Sequence, residues 1–142
     1  MSAFVIDASV VVKWFVPEVH TDAARRLLER SHRYFAPDIL FAESANTIWK
    51  KVRRGELEPT EGRGLVRDIG RAAVDAIPSR MLADDAYALA VRTDRTVYDC
   101  LYLALAVRMD TRMLTADDRF VAGLAHLRLL ARHVQSIQTF EG

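Results

Sequence analysis

Four carboxylates stand where apolar segments begin or end. Asp7 closes Ala3-Phe4-Val5-Ile6, and Glu43 lies within Pro37-Asp38-Ile39-Leu40-Phe41-Ala42-Glu43. Asp99 opens Cys100-Leu101-Tyr102-Leu103-Ala104-Leu105-Ala106, and Asp117 follows Met113-Leu114-Thr115. Acidic side chains are seldom kept beside a core unless paired or holding a metal, because burying an unpaired charge is costly. Spread along the whole chain, the four suggest a fold that gathers them around a divalent cation. Mg²⁺ and Mn²⁺ prefer oxygen ligands and retain several waters. Carboxylates can hold such ions against a phosphodiester, where an activated water attacks phosphorus and the metal stabilises charge on the departing oxygen.

Each carboxylate also has a plainer use. Asp7 could cap a helix beginning near Ser9, although Ser9 itself can serve as that cap. Glu43 could be an ordinary surface residue of its helix. Asp99 sits three residues after Thr96, in the manner of a capping box, and backbone amides would then hold the same carboxylate in place. Asp117 and Asp118 could each cap the helix that follows them. Other chemistries have less support. His20, His32, His126 and His133 are scattered, and none pairs with a carboxylate motif at ligand spacing, so an acid–base ribonuclease using two histidines is unsupported. The single cysteine, Cys100, excludes an intramolecular disulfide and a cysteine zinc site.

The elements that must position these groups can be read from periodicity. Ala3 to Ile6 reads as a short buried strand. Ser9 then caps a helix through Val10-Val11-Val12-Lys13-Trp14-Phe15, ended by Pro17. Residues 21–30 carry Ala23, Ala24, Leu27 and Leu28 at helical spacing. A second strand spans Arg33 to Ala36. Asp38 is expected to cap a helix reaching Arg54, with Gly55 as its stop. A helix weakened by glycines follows over 59–73, then a strand over 74–77 and a helix over 79–91. Thr96 caps an apolar, central helix over 97–109. A strand over 112–115, a short helix over 117–122 and a last strand over 127–129 complete the reading.

Short apolar strands alternating with helices indicate a parallel sheet covered on both faces. The expected class is α/β, a three-layer α/β/α sandwich with a central parallel sheet, formed by residues 1–142 as one domain. In such sheets functional groups collect beyond the carboxyl ends of the strands, where Asp7 and Asp117 both fall.

Composition bounds the partners. The 142 residues are 51% hydrophobic and 27% charged, with a net charge of +1. No whole-surface basic field is available to attract nucleic acid, so such binding must use a local patch. Two basic groups are candidates: Arg25, Arg26, Arg30, His32 and Arg33, and Lys50, Lys51, Arg53 and Arg54 downstream of Glu43. No stretch approaches a membrane span, and the N-terminus lacks a secretory pattern, so a cytoplasmic protein is expected.

In order and spacing, Ile6-Asp7-Ala8-Ser9, Glu43-Ser44-Ala45-Asn46, Tyr98-Asp99-Cys100-Leu101-Tyr102-Leu103-Ala104-Leu105-Ala106 and Leu114-Thr115-Ala116-Asp117-Asp118-Arg119-Phe120 resemble a PIN domain. Within that family they look like the VapC-type toxin ribonucleases of toxin–antitoxin pairs. The resemblance implies a Mg²⁺- or Mn²⁺-dependent endoribonuclease with Asp7, Glu43, Asp99 and Asp117 as metal-binding and catalytic residues. The family's Thr-x-Asp pattern favours Asp117 over Asp118. Ser9, Asn46 and Thr115 are then expected to orient the carboxylates. The resemblance also implies an RNA substrate, a homodimer and a VapB-type antitoxin whose C-terminal segment lies across the toxin and blocks the site. An apolar patch drawn from Trp14, Phe15, Val16 and Trp49 would suit that partner. The alternatives are a catalytically inactive PIN scaffold and a phosphatase with an aspartyl nucleophile. The latter wants a second aspartate two residues after Asp7, where Ser9 stands.

Overall fold

The computed structural model describes residues 2–142. Five strands form one parallel sheet: β1 (Ala3–Ile6), β2 (Arg33–Pro37), β3 (Asp75–Ile77), β4 (Met113–Thr115) and β5 (Val134–Ser136), in the order β3-β2-β1-β4-β5. Among the described residues eight α-helices connect them: α1 (Ala8–Phe15), α2 (Thr21–Arg26), α3 (Ile39–Arg53), α4 (Pro59–Ile69), α5 (Ala83–Thr93), α6 (Val97–Arg108), α7 (Asp118–Leu124) and α8 (Arg128–Ala131).

β1 is central because it is apolar on both faces, and Phe4, Val5 and Ile6 are all buried. It pairs with β2 through Val5 opposite Phe35 and with β4 through Ile6 opposite Leu114. From β1 the chain steps through β2 to β3, then returns to place β4 on the other side of β1. Right-handed crossovers put the helices of the first two steps on one face and the later helices on the other. The packing agrees: α1 meets α2, α3 and α4, while α5 meets α6 and α7 meets α8. In α6 every residue from Cys100 to Ala106 is buried, so the all-round apolar helix is central as its sequence suggests.

Several elements depart from the local reading. α2 ends at Arg26 and closes with a 3₁₀ turn over Leu27–Glu29. The helix after Pro78 begins as a 3₁₀ turn over Ser79–Met81. Asp38 does not cap α3 with its side chain. Its Oδ1 instead accepts from Ser79 N (3.0 Å) and Ser79 Oγ (2.5 Å), tying the start of α3 to the end of β3. The strand expected over 127–129 is wrong. That segment enters α8, because Leu130 is buried while Leu129 lies 73% exposed, and Leu127 and Leu130 turn inward at helical spacing. The closing strand is Val134–Ser136, in the tail whose sequence carries only a weak strand signal. Gly62, which makes α4 look weak in isolation, is a contact point. A Cβ there would meet Val52 Cγ2 at 3.0 Å, so the missing side chain lets α4 approach α3.

Candidate active site

The return of the chain between β3 and β4 creates a crevice beyond the carboxyl ends of β1 and β4, the place where doubly wound sheets bind ligands. Asp7 leaves β1 there and occupies the N-cap position of α1. Its carboxylate does not cap the helix, and Ser9 is not the cap either. Ser9 lies in the first turn and its Oγ donates to Asp7 Oδ1. From the neighbouring strand, Thr115 Oγ1 donates to Asp7 Oδ2 at 2.5 Å. The same two hydroxyl oxygens accept backbone amides, Ser9 from Ala116 N (3.2 Å) and Thr115 from Asp117 N (3.0 Å). Asp7 is therefore fixed in direction by two neutral donors that are themselves fixed by backbone.

Glu43 sits one turn into α3, and its Oε1 accepts from Tyr102 Oη on α6 at 2.6 Å. Asp99 stands in the first turn of α6, whose start is capped by Thr96 Oγ1 accepting from Asp99 N (3.1 Å). Asp117 caps α7: its Oδ1 accepts from Arg119 N and Phe120 N, each at 3.1 Å. Capping and placement at the crevice thus coincide. Asp7, Glu43, Asp99 and Asp117 line one cleft of about 430 Å³, together with Ser9, Asn46, Thr47 and Tyr102.

The electrostatics record this proximity. Burial is the main force on Asp7 and raises its pKa to about 6 against the opposing bonds from Ser9 and Thr115, and the Asp99 charge adds to the rise. Glu43 is raised by burial, opposed by the Tyr102 hydrogen bond, and raised further by the charges of Asp7 and Asp99. Asp99 is raised by burial and by Asp117. Among the described residues no lysine, arginine or histidine forms an ion pair with any of the four.

A carboxylate set in which Asp7 and Glu43 are held by hydroxyls, and which forms no ion pair among the described residues, has the donor chemistry of a hard divalent ion. No three of the described His, Cys, Asp and Glu side chains stand close enough to cage an ion directly. Mg²⁺ does not require that, since it is commonly held by one or two carboxylates and keeps its waters. The residues fit such an ion.

The PIN domain family model matches residues 4–123. Ribonuclease VapC3 of Pyrobaculum aerophilum is 32% identical over 115 residues, covering 80% of this chain and 88% of that protein. Ribonuclease VapC1 of Mycobacterium tuberculosis is 30% identical over 131 residues, covering 86% and 91%. The chain belongs to the VapC family of PIN-domain proteins. Two solved structures share the fold. PAE2754 from Pyrobaculum aerophilum has a TM-score of 0.65 at 19% identity, covering 98% of this chain and 94% of that one. VapBC2 from Rickettsia felis, bound to a DNA fragment from its promoter, has a TM-score of 0.61 at 14% identity, with 96% and 98% covered.

Other singled-out residues of this PIN domain go to different places. Asp118 turns away from the cleft, and its Oδ2 accepts from Gln138 Nε2 at 2.6 Å. Asn46 lines the cleft from the turn after Glu43. Among the described residues no histidine lines it. Trp14 and Val16 are core, each 7% exposed, and Trp14 Nε1 donates to Ala24 O at 2.8 Å. Trp49 is 53% exposed on α3, beneath the Arg53 guanidinium. Of the expected apolar patch, only Trp49 is a large exposed face. Tyr102 is a site residue that the motifs alone do not single out. Its position three residues after Asp99, on the same side of α6, is the available signal. Lys13, Glu18 and Lys50 also line the cleft.

Proposed function

We propose that this protein is a Mg²⁺- or Mn²⁺-dependent endoribonuclease, the toxin of a toxin–antitoxin pair, working in the cytoplasm as one PIN domain over residues 1–142. The observation that carries the reading is the meeting, in one cleft at the switch point of the sheet, of four carboxylates that form no ion pair among the described residues. The ribonuclease names of the VapC relatives supply the substrate class, and the VapBC2 assembly supplies the precedent for a VapB-type antitoxin.

When bound, the ion would acidify a water and neutralise charge on the phosphate. Asp7, Glu43, Asp99 and Asp117 would hold it, directly or through its retained waters. Ser9 and Thr115 donate to the two Asp7 oxygens and fix their direction, and Tyr102 fixes the Glu43 carboxylate. Without histidines in the cleft, a route through the ribose 2′-hydroxyl lacks its usual acid and base. The expected products carry a 5′-phosphate and a 3′-hydroxyl. A homodimer would use the exposed apolar side chains Tyr87, Val91 and Tyr98 around α5 and the start of α6.

Cleavage of an oligoribonucleotide with Mg²⁺, with EDTA and with Mg²⁺ restored, followed by end-group analysis, tests the reading. Activity should vanish in EDTA and return. A 2′,3′-cyclic phosphate, or undiminished cutting in EDTA, would overturn it.

A further inference from the structure

The cleft is not acidic throughout. Lys13 from α1 and Lys50 from α3 line it beside the carboxylates, with Glu18 between α1 and α2. Only three of the twenty Lys and Arg residues are lysines, and all three gather here. Lys51 Nζ lies 2.5 Å from Glu18 Oε2, and Lys13 Nζ lies 3.2 Å from Glu18 Oε1. Glu18 is one negative charge serving two ammonium groups, so this corner keeps a net positive charge before Lys50 is counted. Lys50 is exposed and forms no ion pair among the described residues. Lys51 is only 8% exposed and points inward, so Glu18 holds it as part of the structure. Lys13 and Lys50 are the two ammonium groups that reach the cleft.

Their placement follows from the helices. On α3, Glu43, Asn46 and Thr47, and Lys50 succeed one another on the cleft face. Lys50 is two turns beyond Glu43, about 10 Å along the axis. On α1, Lys13 is one turn beyond Ser9, on the same side. Both helices therefore run from the carboxylates to a lysine. An ammonium on a flexible stem is a point charge suited to phosphate, and phosphate contacts position a strand without reading its sequence.

We propose that Lys13 and Lys50 form a subsite for a backbone phosphate of the RNA adjacent to the one cleaved, with Glu18 as the group that positions Lys13. The inference rests on the ribonuclease reading above and names how that site holds its substrate. Glu18 stays ionised and so keeps its hold on Lys13. Burial alone would raise its carboxyl, but the bond from Lys51 and the charge of Lys13 bring it below the usual range.

The test is equilibrium binding of a fluorescent single-stranded oligoribonucleotide to the Asp99→Asn protein in Mg²⁺, over a range of salt. Asp99→Asn, Lys50→Gln double substitution should weaken binding several-fold and flatten the log–log salt slope by about 0.7, the loss of one single-strand phosphate contact. Lys13→Gln should do the same, and Lys50→Arg should restore the slope. Lys50 is exposed, so its variant tests the idea even if Lys13→Gln disturbs folding through Glu18. Arg33→Gln, at the opposite end of the sheet, should leave the slope unchanged. If the wild type cleaves RNA but both lysine variants keep the parent slope, the subsite is refuted and the ribonuclease reading stands. Equal flattening by Arg33→Gln would mean a general charge effect and also refutes the subsite. If the wild type neither binds nor cleaves RNA, both readings fall together.

Discussion

Asp7 and Glu18 line the same cleft and are both largely withdrawn from water, yet their surroundings are opposites. Asp7 receives two hydroxyls and no cation, and burial pushes it up to about 6. Glu18 receives two lysines and is held below its usual range. Hydroxyls give a carboxylate direction without cancelling its charge. Ammonium groups cancel the charge and cross-link the structure. The first arrangement costs the protein stability and leaves the charge available to a ligand; the second stabilises the fold. The contrast separates a carboxylate built for chemistry from one built for position.

The largest expected effects come from reversing each arrangement. Asp99→Asn or Asp7→Asn should abolish cleavage while circular dichroism shows an unchanged fold, because the amide keeps the shape and loses the charge a hard cation needs. Asp7→Asn should also raise the melting temperature in EDTA. Glu18→Gln should lower it, since the largely buried Lys13 and Lys51 lose their counter-charge, a cost of about 2 kcal/mol once the partial exposure of Glu18 discounts the fully buried case. A less stable Asp7→Asn protein would break the comparison.

Acidity offers a second handle. Asp7 ionises near 6 in the folded chain and near 3.8 in the unfolded chain, so the folded state binds its proton more tightly. Above about 6 the group is ionised in both states and its penalty is full, on the order of 3 kcal/mol. As pH falls from about 6 to 3.8 that penalty is relieved, and Glu43 and Asp99 shift in the same direction. Metal-free protein should therefore show a shallower acid destabilisation than its other carboxylates alone would produce, and Asp7→Asn should remove this contribution. Mg²⁺ should raise the melting temperature at about pH 7.5 more than at about pH 5, in a thermal-shift titration, because protons compete with the ion for the same oxygens.

Tyr102→Phe sharpens the comparison from the other side. It removes the one hydroxyl bonded to Glu43 and leaves the ring in the core. Activity or Mg²⁺ affinity should fall about 10-fold, the range seen when a group orienting a metal ligand is lost. Calorimetric Mg²⁺ binding equal to the wild type would exclude this orienting role. The smallest effect belongs to Asp118→Asn, which loses only an exposed bond with Gln138. Cleavage should be unchanged and stability should move by less than about 0.5 kcal/mol.

Much of this is legible along the chain, and the residues show why. β1 is bounded as its apolar run is bounded, Gly55 stops α3 with a φ of +78°, and Thr96 caps α6 as its spacing requires. These are local facts, fixed by side-chain type within one or two turns. Asp7, Glu43, Asp99 and Asp117 can be nominated because each interrupts an apolar segment. Ser9 reads as a cap because its type allows capping, while its actual partner is a carboxylate two residues back. The segment over 127–129 reads as a strand because its leucines fit strand and helix equally well until the burial of Leu130 decides between them.

By itself the sequence determined an α/β chain with four carboxylates near strand and helix ends, because strand and helix periods and end signals are written in neighbouring residues. The tertiary structure decided what those carboxylates meet. Thr115 reaches Asp7 across 108 residues because β4 returns to lie beside β1, and Tyr102 reaches Glu43 across 59 because α6 and α3 both begin at that edge. Lys13 and Lys51 converge on Glu18 only when α1 packs on α3. Strand order and helix packing are set by how whole apolar faces are buried together, and no local spacing encodes that choice.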